Sequence, residues 1–598
     1  MSSLLNELSD PGSSQAQAAD LIVAYLLQLE IEYIFGVPGG AIEPLYNALA
    51  RSARRGGPRA VLARHEAGAA FMADGYARET GKVGVCCATS GPGATNLLTG
   101  VACAYDNGVP VLAITGQPPL PAFGRRALQE SACTGINTLS MYRHCTRYNS
   151  LVSHPEQMEH KLVAALQHTM RPQRGPVHLT IPVDILRSPI PSAEPTHNLR
   201  SRLLPRALLD QDAYTHLREL LDQARKPVLL IGGGCGEAAH VIVEFAERRQ
   251  IPFVTTPDGK GLVDPHHSLN CGVFGFAGHV TADALLRDPH VDLVLAVGSS
   301  MNEWTSSGWS DHLLNEKLVH IDSMEDHLLR TPMARLQVRG RILTVFAKLL
   351  THLGQGSAPL PRWEAVVDGE RWLSPLDRLA INIDEAPLKP QRLMKELAHR
   401  LPPGTRYLAD AGNSVAWCVH FLSPSSQDQE QRQIASRPVD SMCRNHGGWL
   451  RLTMDFAPMG WAIGGAVGTA MGCADTPVVC ITGDGSMLMN GQEISAALAE
   501  GLNVIYVVLN DGALGMVKHG QRLAGAEPTA FELPPTDFAA MAKAMGVEAY
   551  TIRSAADFDV LDLAQAGQRR KPLLLDVHID PEAVPPMNLR MRVLGTVQ

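Results

Sequence analysis

The sequence predicts an α/β protein built from three doubly wound, parallel-sheet segments, and three observations carry that prediction. Short apolar runs alternate with helical stretches along the whole chain, the pattern of parallel strands joined by crossover helices. Several runs, among them Val478–Thr482 and Val504–Leu509, are apolar almost throughout, as strands buried on both faces are. The chain has 598 residues, too many for one core, and Pro-rich connectors divide it into segments 16–190, 205–355 and 388–590.

The first segment opens with a helix over Ala18–Leu29. Strand-like runs follow at Tyr33–Gly36, Val83–Ala88 and Pro110–Thr115, and the segment closes on Gly175–Pro182. The second has strands at Pro227–Gly232, Pro252–Thr255, Val291–Gly298 and Lys317–Asp322. The third shows its clearest strands at Pro477–Thr482, Val504–Leu509 and Pro572–Ile579. Connectors run from Ser188 to about Pro205 and from Gly354 to about Pro387. No short tandem repeat is present, although the outer segments could share a fold.

Composition narrows the functional classes. Charged residues are 19% of the chain and its formal net charge is −8. No Lys/Arg-rich run stands out, which argues against a nucleic-acid partner. The eleven cysteines are scattered. The pairs Cys86/Cys87 and Cys133/Cys145 lack zinc-site spacing, and the set reads as small core residues in a reducing compartment. Met1–Gln15 is polar with acidic residues and lacks the features of a signal peptide. No apolar run has the length to span a bilayer. The expectation is a cytoplasmic enzyme with no membrane partner.

The chemistry concentrates in the third segment. One strand ends in Gly483-Asp484-Gly485-Ser486, and the next ends in Asn510-Asp511-Gly512-Ala513. A helix-like stretch from Gly491 to Glu500 lies between them. Two strands thus each deliver an acid at their C-terminal ends, the edge where open α/β sheets bind ligands. Paired carboxylates there suit a hard cation such as Mg²⁺, which keeps phosphate oxygens among its ligands. Glycines let the backbone approach a diphosphate, and a helix N-terminus favours the anion. Either tripeptide alone would read as a turn. Both together favour a metal.

Gly483-Asp484-Gly485-Ser486 followed by Asn510-Asp511 resembles the signature of thiamine-diphosphate-dependent enzymes. The resemblance implies that Asp484, Asp511 and the carbonyl of Ala513 hold the metal, and that Gly483, Gly485 and Ser486 line the cofactor. Many members carry Asn where this chain has Asp511. Arg64-His-Glu-Ala-Gly-Ala-Ala-Phe-Met-Ala-Asp-Gly-Tyr-Ala-Arg78 resembles the family's helix with the catalytic glutamate, here Glu66. A carboxyl beside N1′ of the aminopyrimidine shares a proton with the ring and so promotes loss of the thiazolium C2 proton. Ala67, Ala69 and Ala70 are expected to supply apolar surroundings for it. Val37-Pro38-Gly39-Gly40-Ala41 resembles the turn that faces the thiazolium. Ser90-Gly-Pro-Gly-Ala-Thr-Asn96 resembles a loop near the active centre. Asp410-Ala-Gly412-Asn413-Ser414 resembles the diphosphate grip. Met459 falls where the family places a bulky apolar residue that bends the cofactor.

The resemblance covers nearly the whole chain and is closest to acetolactate synthases. It implies pyrimidine-binding, central Rossmann-like and diphosphate-binding domains. It also implies a homodimer or homotetramer with sites shared between subunits. The expected activity is decarboxylation of a 2-keto acid and transfer of its acyl group to a second carbonyl. Leu128-Gln129-Glu130 resembles the family's substrate-side tripeptide, which makes Gln129 a candidate contact. Three departures stand out. Val183 replaces a Lys common among synthases. Lys518-His519-Gly520 puts Gly520 where synthases place a pocket-shaping Trp, so His519 and Gly520 join Gln129 and Met459 as candidate pocket residues. Gly298-Ser-Ser-Met-Asn-Glu-Trp304 lacks both arginines of the synthase flavin segment, leaving FAD, an ADP-type ligand or no ligand open for the central segment.

Alternatives remain at this stage. A decarboxylase or lyase would use the same cofactor residues. A dehydrogenase would need the loop Gly234-Cys-Gly-Glu-Ala-Ala239, but no acid closes the next strand near Thr255. A non-catalytic relative would have lost Glu66 or Asp484, and both are present.

Overall fold

A computed structural model describes residues 16–132, 134–170, 173–203, 207–353, 371–424 and 448–593. The stretch Met1–Gln15, Cys133, the first half of the second connector and the expected segment boundaries at 205 and 355 lie outside the described residues.

Three parallel six-stranded sheets organise the chain. The first holds β1 (Tyr33–Gly36), β2 (Arg59–Leu62), β3 (Gly84–Ala88), β4 (Val111–Gln117), β5 (Tyr148–Leu151) and β6 (Val177–Pro182), in the order β2-β1-β3-β4-β6-β5. The second holds β7 (Pro227–Ile231), β8 (Phe253–Thr255), β9 (Asn270–Val273), β10 (Leu293–Val297), β11 (Leu318–Asp322) and β12 (Leu336–Arg339), in the order β12-β11-β10-β7-β8-β9. The third holds β13 (Arg406–Ala409), β14 (Leu450–Arg451), β15 (Val478–Gly483), β16 (Val504–Asn510), β17 (Glu548–Ile552) and β18 (Leu573–His578), in the order β14-β13-β15-β16-β18-β17. Counted from its own first strand, the third sheet repeats the order of the first. The shared fold that the sequence only suggested for the outer segments is therefore real. The middle sheet has the doubly wound order, with its switch point between β7 and β10.

By compactness the chain forms two units. The first comprises the described residues up to 203 together with Asp455–Cys473 and Asn490–Glu500. The second comprises the described residues of 206–454, with Ala474–Met489 and Gly501 onward, and contains the second and third sheets.

In the first unit the helix Glu66–Thr80 crosses the helix Trp461–Gly472 at very close range. Glycine makes the approach feasible. A Cβ on Gly75 would run into Gly465 O, and one on Gly468 into Met72 O. The crossing is fastened by buried Asp74, whose Oδ1 accepts from Trp461 Nε1 at 3.0 Å and from Arg78 Nε at 2.7 Å. A charged and a neutral donor converging on one oxygen of a buried carboxylate make the crossing specific rather than merely apolar, while Oδ2 has no partner among the described residues.

Two expectations need correction. The helix after the Gly-Asp-Gly strand does not begin near Gly491. It begins at Asp484 and runs to Asn490, followed by a 3₁₀ turn at Gly491–Glu493 and a helix at Ile494–Ala499. An acid at the first position of a helix opposes the partial positive charge of its free N–H groups, so Asp484 suits that start. The connectors are not bare linkers either. They carry short helices at Leu199–Leu203 and Pro375–Ala380. Ser374 and Asp377 form a reciprocal cap that starts the second of these.

Candidate active site

The candidate residues divide between the two units. In the first, His65 caps the Glu66 helix by accepting from Ala67 N, and the helix ends at Gly81 with φ 71°. Glu66, half-buried, is the first helical residue. Its Oε2 accepts from Asn96 Nδ2 at 3.0 Å. The expected alanine surroundings are only part of the picture. Ala69 and Ala70 are buried in the core, while the carboxyl itself meets a polar amide.

Asn96 stands on the helix Pro92–Asp106, and the turn that starts this helix lies between two candidate residues. A Cβ on Gly93 would sit 3.3 Å from Glu66 Oε1, and one on Gly91 would sit 3.0 Å from Gln129 Cβ. Gly91 has φ 62°, so the turn needs glycine for its backbone as well as for space. Glu66 and Gln129 are thus brought to one short turn, although 63 positions separate 66 from 129 in the chain. The Val37–Ala41 turn follows β1. Gly39 packs on the Thr89 side chain, whereas Pro38 and Gly40 are exposed and no atom lies within 4 Å of a Cβ placed on Gly40. That backbone is open to a ligand. Met459 is half-buried just before the helix Trp461–Gly472.

Sequence reading missed Glu493. Its carboxyl has no exposed surface and accepts the backbone N–H groups of Arg64 at 3.0 Å and His65 at 2.9 Å. It therefore fixes the chain entering the Glu66 helix. Burial pushes its pKa up to about 7. A Glu in a polar stretch carries no local signal for that role.

In the second unit, β13, β15 and β16 are adjacent and end at one sheet edge. Beyond β13, Gly412 takes φ 104° and starts the helix Asn413–Phe421. Asp410 is fully buried, accepts from Thr482 Oγ1 at 2.8 Å, and its carbonyl accepts from Ser414 Oγ at 2.9 Å. Ser414 is therefore committed to the turn. Asn413 Oδ1 and Ser486 Oγ are buried without a partner among the described residues. No atom lies within 4 Å of a Cβ on Gly412, Gly483 or Gly512. Orphaned polar atoms beside open glycines form a cradle for a polar ligand.

Asp484 accepts from Gly485 N at 2.6 Å through Oδ1 and from Ala513 N at 3.2 Å through Oδ2. Asn413 and Asp511 both lean on Gly515, where a Cβ would crowd Asn413 Nδ2 and sit 2.7 Å from Asp511 Oδ2. Burial raises the pKa of Asp484. Burial and then the charge of Asp484 push Asp511 up to about 7. A buried and a half-buried carboxylate that resist joint ionisation could share a proton or a cation. Asp576, another residue sequence reading missed, accepts from Asn510 Nδ2 at 2.9 Å and from Phe538 N at 3.0 Å, fixing the strand end before Asp511. His519 is 1% exposed on the helix Gly515–Ala524, and its Nδ1 has no partner among the described residues. Gly520 borders open space.

Comparison with known proteins identifies the family. Residues 16–137 match the model for the thiamine pyrophosphate enzyme N-terminal TPP binding domain. Residues 214–349 match its central domain, and 440–577 match its C-terminal TPP binding domain. An acetolactate synthase from Arthrospira platensis is 34% identical, with 92% of each chain covered. Acetolactate synthases from Mycobacterium avium and Mycobacterium bovis are 32% and 30% identical, covering 93% and 95% of this chain and 86% and 89% of theirs. With all three domain models matched and relatives of this identity over nearly the whole chain, this chain belongs to the thiamine pyrophosphate enzymes of acetolactate synthase type.

Proposed function

We propose that the protein is a carboligase that decarboxylates a pyruvate-like 2-keto acid and transfers its acyl group to a second carbonyl. The observation that carries this reading is the presence of Glu66, Asp484 and Asp511 in the two cofactor-binding segments of a chain whose relatives are named acetolactate synthases. Those relatives favour carboligation over simple decarboxylation.

Bound thiamine diphosphate supplies a nucleophilic carbon and an electron sink for decarboxylation. Asp484, Asp511 and the Ala513 carbonyl would hold Mg²⁺, an oxygen-seeking cation that relieves the repulsion between the two carboxylates. Ser486 would donate its unpartnered hydroxyl to a diphosphate oxygen, and Asn413 would donate through its amide nitrogen. Glu66 holds a proton at the aminopyrimidine, with Asn96 fixing the carboxyl rotamer. Pro38, Gly39 and Gly40 would present backbone to the bound cofactor, and Met459 would give it an apolar support. Gln129 supplies an amide to the substrate. His519 and Gly520 shape the acceptor side, and the open space at Gly520 admits a larger acceptor than a pocket closed by Trp.

A flavin does not suit the central sheet. After β7, Gly234 N gives its hydrogen bond to Gly298 O at 2.8 Å, and the Asp258 side chain stands over Gly233. A committed N–H and a carboxylate are poor company for an anionic nucleotide. We infer a reaction without FAD, and the family resemblance supports a cytoplasmic homodimer or homotetramer whose sites draw on two subunits. The test is incubation of the purified protein with thiamine diphosphate, Mg²⁺ and pyruvate, followed by NMR. Acetolactate supports the reading, and acetaldehyde without acetolactate overturns the carboligase.

A further inference from the structure

We propose that the buried pair Gln117 and Ser131 is the positioning device for Gln129, and through it decides how much of the decarboxylated substrate ends in carboligation; the inference rests on the carboligase reading. Gln129 is exposed and holds φ 59°, a left-handed conformation that a side-chain-bearing residue keeps only where its surroundings impose it.

The imposing surroundings lie two residues on. Ser131 is 1% exposed, Gln117 2% and Thr138 fully buried. Gln117 grips Ser131 twice. Its Nε2 donates to Ser131 Oγ at 2.9 Å, and its Oε1 accepts from Ser131 N at 3.2 Å. Ser131 Oγ also accepts from Gly91 N at 3.2 Å. Both oxygen lone pairs are then used, and Thr138 Oγ1 lies 3.3 Å away as the partner left for the hydroxyl proton. Thr138 in turn donates to Ser131 O at 3.1 Å.

Every polar group of this cluster is committed, and none faces solvent. Its outcome is geometric. Ser131 ties the strand β4, through Gln117, to the Gly91 turn, and Gln129 is pressed against that same turn. The other side of the turn touches Glu66 at Gly93. A neutral, fully satisfied clamp of this kind fixes a backbone rigidly, and an amide that must meet a short-lived reacting species depends on such fixing. Ser131 and Gln117 touch no substrate and act only through Gln129.

The test uses the full-length enzyme loaded with thiamine diphosphate and Mg²⁺, with pyruvate as substrate, comparing Ser131→Ala, Gln129→Ala and the double variant. The expected result for Ser131→Ala is a loss of carboligation kcat/KM of about tenfold. The product ratio should move toward acetaldehyde, and cofactor affinity should stay within about twofold of the parent. The double variant should be no slower than Gln129→Ala alone, because the clamp has nothing left to position. Thr138→Val, which keeps shape and removes one hydroxyl, should shift the product ratio in the same direction by less. It serves if Ser131→Ala folds poorly. An unchanged product ratio in either clamp variant, or losses that multiply in the double variant, overturns the proposal. Hydrogen exchange gives a readout independent of turnover. Residues 124–132 should exchange faster in Ser131→Ala while the Glu66 helix does not, and unchanged exchange there overturns the clamp. A parent enzyme that makes no acetolactate overturns the carboligase reading instead, and the exchange result still decides the clamp.

Discussion

Replacing Glu493 separates two things that one carboxyl does for the Glu66 helix. The buried oxygens of Glu493 take the N–H groups of Arg64 and His65, the two residues before Glu66. Glu493→Ala strands both donors, each at about 1–3 kcal/mol, so the first unit should lose ~2–6 kcal/mol. Glu493→Gln should be mild, because Oε1 alone already lies 3.0 Å from Arg64 N and 2.9 Å from His65 N. The informative difference is in pH dependence. Burial moves the carboxyl from its ordinary 4.5 up to about 7. Between those values the folded state keeps a proton that the unfolded chain has released, so the fold binds more protons and its stability falls as pH rises. The full difference above pH 7 is ~3 kcal/mol. Glutamine cannot titrate and has no such slope. Thermal melting of both proteins between about pH 5 and about pH 8 should therefore show Glu493→Gln gaining on the parent with rising pH. For a unit of this size each kcal/mol corresponds to about 2–4 °C. A gap between the two melting curves that does not change with pH refutes the reasoning.

Further outcomes follow from the same geometry. Glu66→Gln should lower turnover by at least about a hundredfold while thiamine diphosphate still binds, measured by steady-state kinetics beside fluorescence titration of the cofactor. Mg²⁺ affinity should weaken about tenfold for each pH unit below 7, because the proton that Asp511 holds up to about 7 competes with the cation. Asp511→Asn should flatten that dependence in a metal titration of activity. Gly520→Trp meets no obstacle at its Cβ and should narrow the choice of acceptor toward smaller carbonyls, read from competing acceptors in one reaction. The protein as purified should lack a flavin absorption band, and added FAD should not change its rate.

The amino-acid sequence by itself determined the fold class and most of the chemical inventory. Interior strands of parallel sheets are buried on both faces, so β3, β4, β7, β10, β15 and β16 announced themselves as apolar runs. The strands that escaped notice are the six sheet edges, β2, β5, β9, β12, β14 and β17, together with β13. Edge strands are short or partly solvated. β17 alternates exposed and buried positions, and β14 has two residues, so neither presents an apolar run. Glu66, Asp484 and Asp511 were legible because each sits in a local motif whose spacing is fixed by one turn or one strand end.

What only the tertiary structure decided are partnerships between residues far apart in the chain. Asp74 meeting Trp461, Glu493 capping the approach to Glu66, Asp576 steadying Asn510, and Gly91–Gly93 joining Glu66 to Gln129 have no local signature. A buried carboxylate or a close glycine is chosen by what it faces after folding, and that is set by sheet order and helix crossing rather than by its neighbours in sequence.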